Sequence, residues 1–123
     1  MRSPCPISNA LDIIGDKWTL LVMRDILMFE KSQYSEFLSS WENISTNILA
    51  ERLKRLEEAG LISKEPYQTN PVRYRYSATA AGKTLKPIIR AMGKWGLKNI
   101  PGTRTPTKHD LESLEIRNKR PSP

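Results

Sequence analysis

An α+β fold is what this sequence predicts, and three features of its patterning predict it. Apolar residues recur at helical spacing through the first sixty positions. Between Leu61 and Thr79 the period drops to two, the mark of paired strands. Helical spacing then resumes from Ala80 to Asn99. A chain of 123 residues suits one domain with a modest core. Residues 1–100 are expected to form it, with residues 101–123 as a basic, mobile C-terminal tail.

The first helix is expected over Ile7 to Ile14, with Pro6 near its first turn and Gly15 ending it. Asp16 is a good N-cap for a second helix from Lys17 to Met28, where Trp18, Leu21, Val22, Ile26 and Phe29 share a face. A short third helix, Gln33 to Ser40, should bury Phe37 and Leu38. The linker Glu42-Asn43-Ile44 is tight, and Asn43 tolerates the left-handed backbone that a sharp turn between helices needs. Ser45 then caps a fourth helix that stops at Ala59-Gly60. Leu49, Leu53 and Leu56 recur at four and three residues and make its buried stripe.

The strand from Val72 to Thr79 alternates Val72, Tyr74, Tyr76 and Ala78 with Arg73, Arg75, Ser77 and Thr79. Leu61 to Tyr67 is its antiparallel partner, made an edge strand by Pro66, with Thr69-Asn70-Pro71 as the hairpin tip. A fifth helix is expected from Ala80 to Asn99 behind Thr79 as cap, kinked by Pro87. Its stripe is Leu85, Ile88, Ile89, Met92 and Trp95. The remaining text, rich in Pro, Lys and Arg, is the tail, with a frayed helix expected at 108–118.

Third and fourth helices joined by a tight turn make a helix-turn-helix, and the hairpin that follows makes a wing. The predicted fold is therefore an α+β winged helix-turn-helix flanked by N- and C-terminal dimerisation helices. Such a unit presents the first turn of its second helix to the major groove of duplex DNA. Short polar groups stand there: Ser45 as cap, then Thr46 and Asn47, whose amide suits adenine. Ala50, Glu51 and Lys54 continue the face, suited in turn to a thymine methyl, a cytosine amine and a phosphate. Arg73 and Arg75 beside the hairpin tip suit a narrow minor groove, and the start of the third helix, with Gln33, suits a phosphate.

The formal charge of +7 and isoelectric point near 9.8 favour an anionic partner. Charge alone fits double-stranded DNA and an acidic membrane surface equally. Lys83, Lys86, Arg90, Lys94 and Lys98 form a positive series without an acidic residue between them; it reads as the solvated back of a helix packed on a partner chain. The last helix is long for so small a domain, and with the first it offers apolar surface that a two-fold homodimer would bury. Leu11, Ile14, Ile88, Met92 and Trp95 are the expected interface residues.

Two other classes share parts of this pattern. A winged-helix protein-interaction module would show apolar or aromatic anchors on the first turn of the fourth helix, where Thr and Asn stand instead. A nonspecific architectural DNA binder shares the charge but needs no half-site spacing. Catalysis finds little purchase: one histidine, His109, no Cys/His metal spacing and no glycine-rich phosphate loop. No cofactor or metal is expected. No apolar run approaches a membrane span, the N-terminus lacks a secretory signal's apolar core, and a lone cysteine suits a reducing cytoplasm. That cysteine, Cys5, precedes the first helix, whose N-terminal dipole favours a thiolate. Packing or capping at the helix start and a redox-sensor role are both open to it.

Three runs resemble the HxlR-type helix-turn-helix family of bacterial winged-helix transcription regulators, akin to the MarR group: CPISNALDIIGDKWTLLVMRDIL, ISTNILAERLKRLEEAGLI and ATAAGKTLKPIIRAMGKWG. The resemblance spans about residues 5–97. It implies a homodimer joined through the first and last helices, the fourth helix in the major groove and the hairpin as wing. It also matches Cys5 to a cysteine that acts as a thiol or electrophile sensor in some members and not in others, which makes a redox or small-molecule effector part of the expectation. The turn before the fourth helix departs from the pattern, carrying Glu42-Asn43 where Pro-Gly is usual, and the tail lies outside it.

Overall fold

The computed structural model describes residues 1–107 and residue 110; apart from residue 110, the helix expected at 108–118 lies outside them. The order of elements is α1 (Pro6–Ile14), α2 (Thr19–Met28), α3 (Tyr34–Phe37), α4 (Thr46–Glu58), β1 (Ile62–Thr69), β2 (Val72–Ala78), α5 (Ala80–Lys83) and α6 (Lys86–Asn99). This is the expected winged helix-turn-helix, with several differences of detail, among them a first strand that runs on to Thr69.

The second helix begins at Thr19 rather than Lys17. Asp16 still serves its start, because its carboxylate accepts from the backbone N–H groups of Trp18 and Thr19 at 3.1 Å each and from the Thr19 hydroxyl. The third helix is a single turn that ends before Leu38. Beyond it the Ser39 hydroxyl donates to the Glu36 carbonyl at 2.6 Å, a local bond that competes with helix continuation. The expected fifth helix is broken, not kinked. Pro87 has no N–H to give and its ring would strike the carbonyl four residues back, so the chain turns at Thr84-Leu85 and restarts as α6.

Val22, Met23, Phe37, Ile44, Leu49, Leu53, Leu56, Ile62 and Leu85 form the core. Leu49, Leu53 and Leu56 bring the whole of the expected α4 stripe into it, each side chain stabilising the fold by about 1.5–3 kcal/mol. The buried side of α2 is rotated from the expected one. Thr19, Val22, Met23 and Asp25 are its buried residues, while Trp18 and Ile26 are partly covered. No residue of α1 or α6 is buried.

The strands pair antiparallel, Ile62 with Ala78 and Lys64 with Tyr76, with a bulge between Pro66 and Gln68. Tyr74, Tyr76 and Ala78 are partly covered while Arg73, Arg75 and Ser77 are exposed, as the alternation requires. Val72, at the tip, is 52% exposed and does not join the inner face. A third chain segment reaches the sheet: Gln33 bridges Arg75, and the Tyr76 N–H donates to the Ser32 carbonyl at 2.8 Å. The loop before α3 is thereby fastened to the wing.

Candidate nucleic-acid interface

The turn between α3 and α4 is held by polar groups inside the domain. Asn43 has φ 58°, the left-handed conformation expected of it, and its N–H donates to the Ser40 carbonyl at 3.0 Å. Glu42 takes two hydrogen bonds from the Arg24 guanidinium, at 2.9 and 2.8 Å. Those bonds lower the Glu42 carboxyl's affinity for protons, against some burial. Arg24 also bonds Asp25, whose other oxygen accepts from the Ser40 hydroxyl and lies 4.0 Å from the Lys31 ammonium. Asp25, Lys31 and Ser40 are buried. Burial pushes the Asp25 carboxyl up, opposed by the charges of Arg24 and Lys31 and the Ser40 bond. This cluster joins α2 to the turn, and Glu42, the first residue of the tight linker, is one of its members. Sequence reasoning passed over it. The signal was present, since Arg24-Asp25 interrupts the otherwise apolar run LLVMRDILM.

With the turn fixed, α4 is presented by its N-terminal end. Ser45 caps it, its hydroxyl accepting from the Ile48 N–H at 3.2 Å. The Tyr34 hydroxyl donates to the Thr46 carbonyl at 2.6 Å and ties α3 to the first turn of α4. Thr46, Asn47, Ala50, Glu51 and Lys54 are all exposed, Thr46 at the open end of the helix and the others off the buried leucine stripe. Glu51 is ion-paired with Arg52 and with Arg55, the latter at 3.5 Å, so its carboxylate is already partly neutralised. Arg52, half-buried, donates to Asp16 at 2.8 Å. Partial burial would raise the Asp16 carboxyl, but the bonds from Thr19, Arg52 and the Trp18 and Thr19 amides prevail and hold it well below the usual carboxylate range. Asp16 thus anchors α4 to the start of α2.

Arg73 and Arg75 are exposed on one face of β2, and the Arg75 guanidinium stacks over the Tyr67 ring at 4.9 Å. Gln33, a candidate DNA contact, is partly buried and has partners within the domain. Its side chain closes a capping box with Glu36, and the Ser32 and Gln33 N–H groups donate to the Glu36 carboxylate at 3.1 and 2.9 Å. The Ser32 and Gln33 N–H groups are thus held by Glu36 within the domain.

Away from this face, Leu11 is 57%, Met92 57% and Trp95 64% exposed, with Ile88 exposed as well. Ile14 differs from these, being partly buried against the core. Cys5 is exposed at the N-cap of α1. Residues 101–107, expected to begin the tail, are tied back. The Thr103 hydroxyl donates to the Gly96 and Ile100 carbonyls at 3.2 and 2.8 Å, and the Arg104 guanidinium lies 5.0 Å from the Trp41 ring centroid, beside the turn.

The pattern of the HxlR-like helix-turn-helix family matches residues 13–104 of this chain. The chain belongs to the HxlR-like helix-turn-helix family. The HTH-type transcriptional regulator YdeP of Bacillus subtilis, itself uncharacterised, is 37% identical over 94 residues, covering 76% of this chain and 73% of YdeP. Among solved structures, the redox regulator HypR in its oxidised form is 34% identical with a TM-score of 0.69, covering 77% of this chain and 97% of HypR. A MarR-family protein of Porphyromonas gingivalis W83 is 33% identical with a TM-score of 0.71, covering 81% of this chain and 97% of its own. Membership places the chain among HTH transcriptional regulators of α+β winged-helix fold. Among the described residues, no helix is long and apolar enough to cross a membrane.

Proposed function

We propose that this HxlR-like protein is a sequence-specific regulator of transcription that binds duplex DNA as a homodimer, with no catalysis of its own. The observation that carries the reading is the polarity of α4: three leucines fully inside, and Thr46, Asn47, Ala50 and Lys54 outside on the face that leads with the N-terminus. In the proposed complex α4 enters the major groove, and Thr46 and Asn47 address base edges. Lys54 meets phosphate, and the wing brings Arg73 and Arg75 to the minor groove. Ser45 acts as cap and Glu51 as ion-pair partner more than as direct readers. The homodimer is supported by the uncovered apolar faces of α1 and α6. Footprinting on the DNA upstream of its own gene, with competitor DNA present, tests the reading. A protected pair of half-sites about one helical turn apart is expected, and protection without sequence preference would replace it with an architectural role.

Redox control is favoured by one observation of its own. Cys5, exposed and at the start of an exposed helix, is the chain's sole thiol, and HypR is a redox regulator. A disulfide would have to join two subunits or a subunit and a small thiol, shifting α1 against α6 and with them the spacing of the two α4 helices. DNA affinity of wild type and Cys5→Ser, before and after diamide, decides it. Loss in the oxidised wild type alone is expected, and equal affinity in all four samples would leave Cys5 a structural cap.

A further inference from the structure

The geometry points to Tyr67 as a positioning residue for DNA binding, a brace that holds the wing and Arg75 at a set angle to α3. The inference rests on the DNA-binding reading above and names a residue that reading does not use.

Three features converge on Tyr67. It stands at the bulge, where Pro66 pairs with Tyr74 and Gln68 with Arg73, so it is left without a cross-strand partner. Bulges re-aim side chains in this way. Its ring receives the Arg75 guanidinium at 4.9 Å. Its hydroxyl donates to Gln33 Oε1 at 3.3 Å, while the Gln33 backbone bridges Arg75. Gln33 is in turn fixed by its capping box with Glu36. The ring, the guanidinium and the amide therefore close a tie between β1, β2 and the start of α3.

A two-stranded ribbon has little stability of its own and twists freely. Here its outer part projects: Ser63 through Tyr67 and Thr69 through Arg73 are exposed. A groove of about 370 Å³ runs between hairpin and helix, lined by Tyr34 and Ser35 on the α3 side and by Tyr67, Arg73 and Tyr74 on the hairpin side. The Tyr67–Gln33 bond belongs to two residues that line this groove. The stack holds the Arg75 guanidinium at one place against the DNA; without the ring the side chain swings into solvent, and that contact, with the counterion it displaces, is lost. Gln33, a candidate DNA contact by sequence, becomes the anchor of this brace.

Full-length wild type, Tyr67→Phe, Tyr67→Ala, Arg75→Ala and the Tyr67→Ala/Arg75→Ala double variant are titrated against the footprinted DNA at several salt concentrations, with melting temperatures in parallel. Tyr67→Ala should lose about three- to tenfold in affinity, with its salt slope lowered by about one, as in Arg75→Ala. The double variant should lose no more than Arg75→Ala, and the melting temperature should stay that of wild type. Tyr67→Phe, which keeps the ring but loses the Gln33 bond, should keep the slope while losing part of the affinity. Should Tyr67→Ala fail to fold, Tyr67→Leu keeps apolar bulk without an aromatic face and is expected to show the same losses. Wild-type slope in Tyr67→Ala or Tyr67→Leu, or losses that add to those of Arg75→Ala, would overturn the brace while the DNA-binding reading stands. Absence of selective binding by wild type would overturn both.

Discussion

At the scale of single residues, Asn47 and Asp16 separate reading from holding. Asn47 is exposed on the first turn of α4 and can give and accept a hydrogen bond at once, as adenine requires. Asn47→Ala should cost about 1–3 kcal/mol at the cognate site and relax preference at one or two base pairs per half-site. Arg73→Ala should weaken binding evenly across sequences. Selected-site profiles of the two variants check the distinction, and an unchanged profile for Asn47→Ala would mean that α4 is docked otherwise. Asp16 is a stability residue. Asp16→Ala removes the cap of α2 and the partner of Arg52, and should cost about 0.5–2 kcal/mol. The sign of its pH dependence follows from a folded carboxyl held below the unfolded one. Its contribution is complete above the unfolded value of about 3.9 and is lost as pH falls toward the lower folded value. The gap between wild type and Asp16→Ala in denaturant melts should be flat from neutral pH to about pH 5 and close in stronger acid.

At the scale of elements, Gly82 explains how α5 can lie against the hairpin. A Cβ there would sit 2.0 Å from the Leu61 carbonyl oxygen and 3.3 Å from the Met23 side chain. The close approach lets Thr79 cap α5 through the Gly82 N–H at 3.1 Å and also donate to the Gly60 carbonyl at 2.6 Å. One threonine thus joins the end of α4 to the start of α5. Gly82→Ala should force backbone apart and destabilise by about 1–3 kcal/mol, read as a lower midpoint in thermal unfolding, with the wing's junction affected first. A midpoint equal to wild type would show that α5 can shift without cost.

At the scale of the whole molecule, α1 and α6 each carry apolar residues left exposed among the described residues. Trp95 and Met92 remain more than half exposed on α6, and Leu11 on α1. Met92→Glu or Trp95→Glu should give monomers in sedimentation velocity, and operator affinity should fall with them, because two half-sites need two linked readers. A wild type that sediments as a monomer at micromolar concentration would end the homodimer proposal.

How much of this was legible from the chain follows from the range of the forces involved. The sequence by itself determined what local forces decide: the α4 stripe, Ser45 as cap, the left-handed Asn43, the period-two wing with its arginines outward, and the family. All but the family, whose match runs over residues 13–104, depend on neighbours within a few residues, through helical or strand period, a capping hydroxyl or a backbone preference. Tertiary structure alone decided what depends on long-range placement. Arg24 finds Glu42 eighteen residues away, Arg52 finds Asp16 across thirty-six, and Tyr67 finds Gln33 across thirty-four. Gln33 shows the consequence: its position at a helix start suggests a phosphate contact, and only the fold shows that Tyr67 and Arg75 stand beside it. A side chain's role in this protein is set by which charges and donors the fold brings within hydrogen-bonding reach of it, and no local periodicity carries that distance.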